Sequence, residues 1–272
     1  MSKSFHMGGL PDIMMTRIEK PLIFITGAPR SGTSLLTKVI DSHPDIDILM
    51  ENIFGNRRRH WKRAIYWHSP ELLLEEVEKT YAPLKAPIVG NKVITPDVWD
   101  AGDILQFCRL FESFRIIFMA RDPRMVALSR LRREPADFFA VYSPEARDNL
   151  LLDFSSRFHA YISSWRQSIE NYWKFRDGLK EKVKLVYYDD FCLDFPDQVR
   201  GIFSFLEIPF SDSVLRWHEQ PHHNAEGELV NDLKYPDTEV FSPPKPEAYP
   251  DELMEALGTI EWQYRLWEKR GL

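Results

Sequence analysis

Five short runs, at residues 22–26, 46–50, 87–93, 115–120 and 183–188, are mostly unbroken apolar segments. A strand with one face in water alternates apolar and polar residues. Continuous runs such as LIFIT and RIIFMA therefore predict strands buried on both faces of a parallel sheet. Parallel strands need crossover connections, and helical patterns supply most of them. Residues 33–42 put Leu35, Leu36, Val39 and Ile40 on one stripe, and 99–111 is amphipathic. Asp122 reads as the cap of a helix that begins with Pro123, and 144–176 carries leucines and aromatics at helical spacing, which reads as core. Residues 196–206 and 251–268 read as further helices, and 222–249, rich in Pro, Asn and Asp, as a long loop of the kind that covers a site. With 272 residues and 44% hydrophobic content the chain supports one sizeable core, so residues 21–272 are expected to form a single α/β domain after an extension at 1–20. The sheet would hold about five parallel strands flanked by helices.

The first run leads straight into a glycine-bearing loop and then a helix. From Gly27 the residues GAPRSGTS reproduce the G-x-x-x-x-G frame of a phosphate loop in its strand-to-helix setting, so the fold is expected to be P-loop-like. Gly27 and Gly32 let successive N–H groups turn toward one anion, and the helix starting near Thr33 adds its positive end. Thr33 stands where a nucleoside triphosphatase places lysine, which leaves Arg30 as the cation of the loop. A guanidinium fork with the Ser31, Thr33 and Ser34 hydroxyls suits a tetrahedral oxyanion. Magnesium is not expected. Ser34 could ligate a metal, but capping accounts for Asp122 more simply.

Ligands of open α/β sheets bind beyond the carboxyl ends of the strands. Here those ends carry Glu51, Lys92, Arg121 and Tyr188, the last followed by Asp189 and Asp190. Taken singly, Glu51 reads as a solvated carboxylate, Lys92 as a loop cation and Arg121 as a partner of Asp122. Together, beside an anion loop, they predict an active site with one carboxylate base and several cations. Ser129 and Arg133 are four apart on the helix after Arg121 and could close with it on a second phosphate.

At this point the chain resembles the PAPS-dependent sulfotransferase superfamily. PRSGTSLL resembles the 5′-phosphosulfate loop, and ARDPRMVALSRLRR resembles the 3′-phosphate motif, with an arginine and a serine eight residues later. Glu51, 21 residues after Arg30, is similar to the glutamate base of tyrosylprotein and some carbohydrate sulfotransferases, and VGNKV to the stretch that holds the catalytic lysine. The resemblance spans roughly 20–220 and implies 3′-phosphoadenosine-5′-phosphosulfate as donor. Pro29, Arg30, Ser31, Gly32, Thr33, Ser34 and Leu35 would hold its 5′ end, Arg121, Ser129 and Arg133 its 3′-phosphate, and Tyr188 would lie against the nucleotide. Glu51, Lys92 and Arg30 would carry metal-free, in-line transfer to a hydroxyl or amine, with the pKa of Glu51 raised by burial in a dry site. The chain departs from the family where Lys92 is followed by Val-Ile-Thr-Pro, and the tail after His222 does not match clearly.

Other features are weaker. His43 is a rival base that reads better as a turn residue at a helix end, and His222 and His223 read as loop residues. The run NRRRHWKR at 56–63 is a solvated basic face or a patch for an acidic acceptor. A net charge of -6 argues against nucleic acid as partner. Cys108 and Cys192 suggest neither a disulfide nor a zinc site, and no segment approaches a membrane span, so a cytoplasmic protein is expected. A P-loop kinase or triphosphatase and a non-catalytic nucleotide-binding protein are the competing classes.

Overall fold

The computed structural model describes residues 18–51, 69–127, 129–130 and 154–231. Arg133, the run at 56–63, the expected helix at 251–268 and most of the expected loop at 222–249 lie outside them or extend beyond them. The five expected strands are present as β1 (Leu22–Gly27), β2 (Ile46–Met50), β3 (Ile88–Lys92), β4 (Phe114–Ala120) and β5 (Val183–Tyr187). They form one parallel sheet in the order β2-β3-β1-β4-β5. The helices are α1 (Thr33–Asp41), α2 (Pro70–Tyr81), α3 (Ala101–Cys108), α4 (123–127 and 129–130), α5 (Phe154–Leu179), α6 (Tyr188–Leu193) and α7 (Phe195–Leu206).

The unbroken apolar runs are explained by burial of both sheet faces. Along β1, Leu22 and Phe24 pack into a core with Trp99, Phe107, Phe118 and Phe175, beneath α2, α3 and α5. Ile23 and Ile25 turn the other way, toward Leu36, Val39, Ile40, Phe203 and Trp217. The aromatics of α5 are core as expected: Trp165, Tyr172 and Phe175 are buried there. Asp122 caps α4, its carboxylate accepting from the Arg124 N–H at 2.8 Å.

The structure adds one helix and changes two expectations. Residues 70–81 form a helix, its Leu73, Val77 and Tyr81 buried on one stripe behind a Pro at the first turn. Tyr188 is the first residue of α6 and not the last of β5. The start of the expected loop is a small antiparallel hairpin, β6 (His222–His223) and β7 (Leu229–Val230).

Candidate active site

The sheet order reverses at β1, and the loop that follows β1 lies at this switch point. Gly27 cannot be replaced without a shift, because a Cβ there would stand 2.3 Å from the Met119 carbonyl oxygen. Gly32, at φ 100°, precedes α1, and a Cβ would meet the Tyr188 ring at 2.3 Å. Arg30 adopts φ 69°, a left-handed backbone that few residues other than glycine take without local cost. The Ser31 hydroxyl donates to the Ala28 carbonyl at 2.7 Å, so it braces the loop and its proton is not directed to a ligand.

The ammonium missing from the loop arrives from a neighbouring strand. Lys92, the last residue of β3, is 2% exposed, and its Nζ donates to Ser34 Oγ at 3.1 Å and to Glu51 Oε1 at 2.5 Å. The meeting follows from register, because β2 and β3 pair Met50 with Lys92 and Glu51 is the next residue. Glu51 takes φ 63°, and its N–H continues the ladder to the Lys92 carbonyl at 2.9 Å. The expected burial of Glu51 is not found: its side chain is 53% exposed, and an ion pair, not a dry pocket, defines its surroundings.

The second group of cations is joined to the first. Arg121 donates to the Arg30 carbonyl at 3.2 Å, while Arg30 Nε donates to Ser129 Oγ at 3.0 Å. The Arg121 guanidinium lies 4.0 Å from the centre of the Tyr188 ring, the same ring that closes over Gly32. Arg121 Nε is buried with no hydrogen-bond partner among the described residues. A buried cationic N–H of this kind fits an anionic ligand that supplies the missing acceptor. Sequence reasoning passed over Trp165, whose indole N–H holds the Arg121 carbonyl at 2.9 Å. It also passed over Asn171, which donates to Thr95 Oγ1 at 2.6 Å, while the Thr95 N–H holds the Gly27 carbonyl at 3.0 Å. Both lie on the helix read as core, and their polar atoms were the signal.

The rival groups are structural. His43 is buried between the Pro209 carbonyl, 3.0 Å from Nε2, and the Asp45 N–H, 3.2 Å from Nδ1, which makes it the turn residue expected. Burial pushes the Cys108 thiol well up, and pushes Cys192 up to about 11 against the Tyr188 hydrogen bond and the Arg121 charge. Neither is an activated nucleophile. His223 is no loop residue: its ring Nδ1 lies 2.9 Å from Asp41 and its Nε2 3.7 Å from Asp47. Burial works against its charge, but the Asp41 hydrogen bond and the Asp41 and Asp47 carboxylates outweigh that and raise its pKa above 6.5. A raised folded value stabilises the protein fully below the unfolded value and loses that contribution as pH rises through the folded one. Thermal unfolding is expected to show a drop in Tm in the interval above about pH 6.5 that the His223→Asn protein lacks. Parallel curves for the two proteins would refute the assignment.

The model of the sulfotransferase family matches residues 21–212. This chain belongs to the sulfotransferase family. Among curated relatives, a protein-tyrosine sulfotransferase of Drosophila melanogaster is 28% identical over 252 residues, covering 85% of this chain and 46% of the relative. Protein-tyrosine sulfotransferase 1 of Danio rerio is 24% identical, covering 85% of this chain and 65% of the relative. The chain thus spans about half to two thirds of the length of these two relatives. The sulfotransferase domain from the curacin biosynthetic pathway superposes with a TM-score of 0.58 at 15% identity, covering 90% of this chain and 99% of that one. A sulfotransferase from Alicyclobacillus acidocaldarius gives 0.55 at 18% identity, with 89% and 92% covered. At such identities the structures establish the fold.

These relatives also correct one expectation. The cytoplasmic assignment does not stand against a set of protein-tyrosine sulfotransferases, because it rested on the lack of a long apolar segment. No helix among the described residues of this sulfotransferase is long and apolar enough to cross a membrane, and that fact does not fix a compartment.

Proposed function

We propose that this sulfotransferase moves a sulfuryl group from 3′-phosphoadenosine-5′-phosphosulfate to the phenolic hydroxyl of a tyrosine in a peptide. The observation that carries the reading is Lys92, a buried ammonium that touches both the anion loop, at Ser34, and the carboxylate Glu51. A cation so placed stabilises negative charge that develops on the bridging oxygen of the departing nucleotide, next to the group that accepts the acceptor's proton. The loop amides and Arg30 orient the sulfuryl end, while Arg121 and Ser129 hold the 3′-phosphate. Glu51, open to solvent on one side, takes the phenol proton as the oxygen attacks sulfur in line. The resemblance to protein-tyrosine sulfotransferases supports tyrosine as acceptor.

Transfer of labelled sulfate from the donor to a tyrosine peptide with acidic flanks tests the reading. Failure with this peptide, together with transfer to a sugar, would replace the acceptor class. A thermal shift with adenosine 3′,5′-bisphosphate and none with ATP and magnesium separates this function from a kinase or triphosphatase. Arg121→Ala is expected to weaken binding of adenosine 3′,5′-bisphosphate by 1.5–3 kcal/mol, about the range of a charge-assisted hydrogen bond. Adenosine 5′-phosphate should bind almost as before. Equal losses for both nucleotides in calorimetry would remove Arg121 from the 3′-phosphate.

A further inference from the structure

The strand that delivers Glu51 lies at the edge of the sheet, where alternate N–H groups face away from the neighbouring strand. Each of these outward amides has a partner from outside the sheet. Ile46 N–H donates to the His43 carbonyl at 3.1 Å, Ile48 N–H to Asp41 Oδ1 at 2.6 Å, and Met50 N–H to the Asn224 carbonyl at 3.3 Å. The last two partners are joined. Asp41, buried at the end of α1, also accepts from the His223 N–H at 2.6 Å and from the His223 ring at 2.9 Å. One carboxylate thus ties the edge strand to the hairpin.

The hairpin turn is itself rigidly organised. Asn224 Oδ1 accepts from the Glu226 and Glu228 amides, each at 2.9 Å, and Asn224 Nδ2 reaches the Glu228 carboxylate at 3.1 Å. Gly227, at φ 82°, closes the turn against Leu49 and Leu84. The Asn224 carbonyl is therefore fixed in space, and it grips Met50, the residue before Glu51. A glutamate in a left-handed conformation needs such support on both sides, and its own N–H supplies the other through Lys92.

We propose that the 222–230 hairpin is a positioning element for Glu51, with His223 and Asn224 as its positioning residues. Asp41 and His223 set the hairpin on the sheet edge, Asn224 fixes Met50, and the carboxylate one residue on is aimed at Lys92 and the acceptor. The functional part of this inference rests on the reading of Glu51 as base.

The test compares His223→Ala with His223→Asn, whose amide can donate to Asp41 in place of ring Nδ1. The Ala protein is expected to bind adenosine 3′,5′-bisphosphate as the wild type does and to exchange its Met50 and Glu51 amides about tenfold faster. It should transfer sulfuryl groups to a tyrosine peptide about tenfold more slowly at saturating substrates, since small misplacements of reacting groups cost rates of that order or more. His223→Asn should restore exchange and turnover, and in a Glu51→Gln background His223→Ala should add no further loss. Asn224→Ala, which frees the turn without touching Asp41, carries the same expectation and serves if His223→Ala does not fold. Unchanged amide exchange, a full loss in His223→Asn, or an additive loss in the double variant would overturn the proposal. If the wild type neither binds the nucleotide nor transfers, the reading of Glu51 falls, while the exchange measurement still decides whether the hairpin holds its backbone.

Discussion

Glu51→Gln protein is expected to turn over at least about 10²-fold more slowly than the wild type, the lower end of what a positioned general base contributes. Glutamine keeps the shape of the side chain and an oxygen for the Lys92 hydrogen bond, but it cannot take a proton from the acceptor. Affinity for adenosine 3′,5′-bisphosphate should stay within about twofold, because the loop, Arg121 and Ser129 reach one another without Glu51. The half-exposed setting of Glu51 suits the role, since the acceptor must approach from solvent. Steady-state rates beside calorimetry on the same preparation check it. A kcat within threefold or so of the wild type would remove Glu51 as base.

Lys92→Met should be more damaging, with turnover lowered by about 10²–10³ in kcat, the range for loss of one group aimed at developing charge. Methionine fills most of the volume of the buried stem, and the half-exposed Glu51 carboxylate keeps its water when its partner is lost, so no unpaired charge is left buried and the fold should survive. The ammonium contacts with Ser34 and Glu51 disappear together. Lys92→Arg is not expected to restore activity, because a planar fork does not fit a site built for a compact charge. Full activity in Lys92→Met protein, with an unchanged melting curve, would show that Lys92 serves only to pair Glu51.

Much of this site was legible because parallel strands are buried on both faces and leave continuous apolar runs whose ends mark the ligand edge. The positions of the glycine loop, Glu51, Lys92 and Arg121 at one sheet edge were read in that way, and the structure places them together there. The strand order was not legible, so the sequence could not say that Met50 and Lys92 are register partners. Burial of Glu51 was misjudged for the same reason, because solvent access at a sheet edge is a property of the order of strands. Residues 70–81 went unread although Leu73, Val77 and Tyr81 lie at helical spacing behind Ser69 and Pro70. Tyr188 looked like a strand residue because its neighbours are β-formers, but its ring packs against Gly32 and the chain goes helical at that point. His223 resembled loop because its partner, Asp41, is 182 residues away.

The two halves of the chemistry rest on unequal foundations. The grip proposed for the donor is built on β1, β3 and β4, the three inner strands, each braced by a neighbour on both sides. Glu51, the proposed base, hangs from an edge strand and a two-rung ribbon. Fraying begins at such margins, so under mild denaturant the protein should stop processing its acceptor while it still clasps the nucleotide.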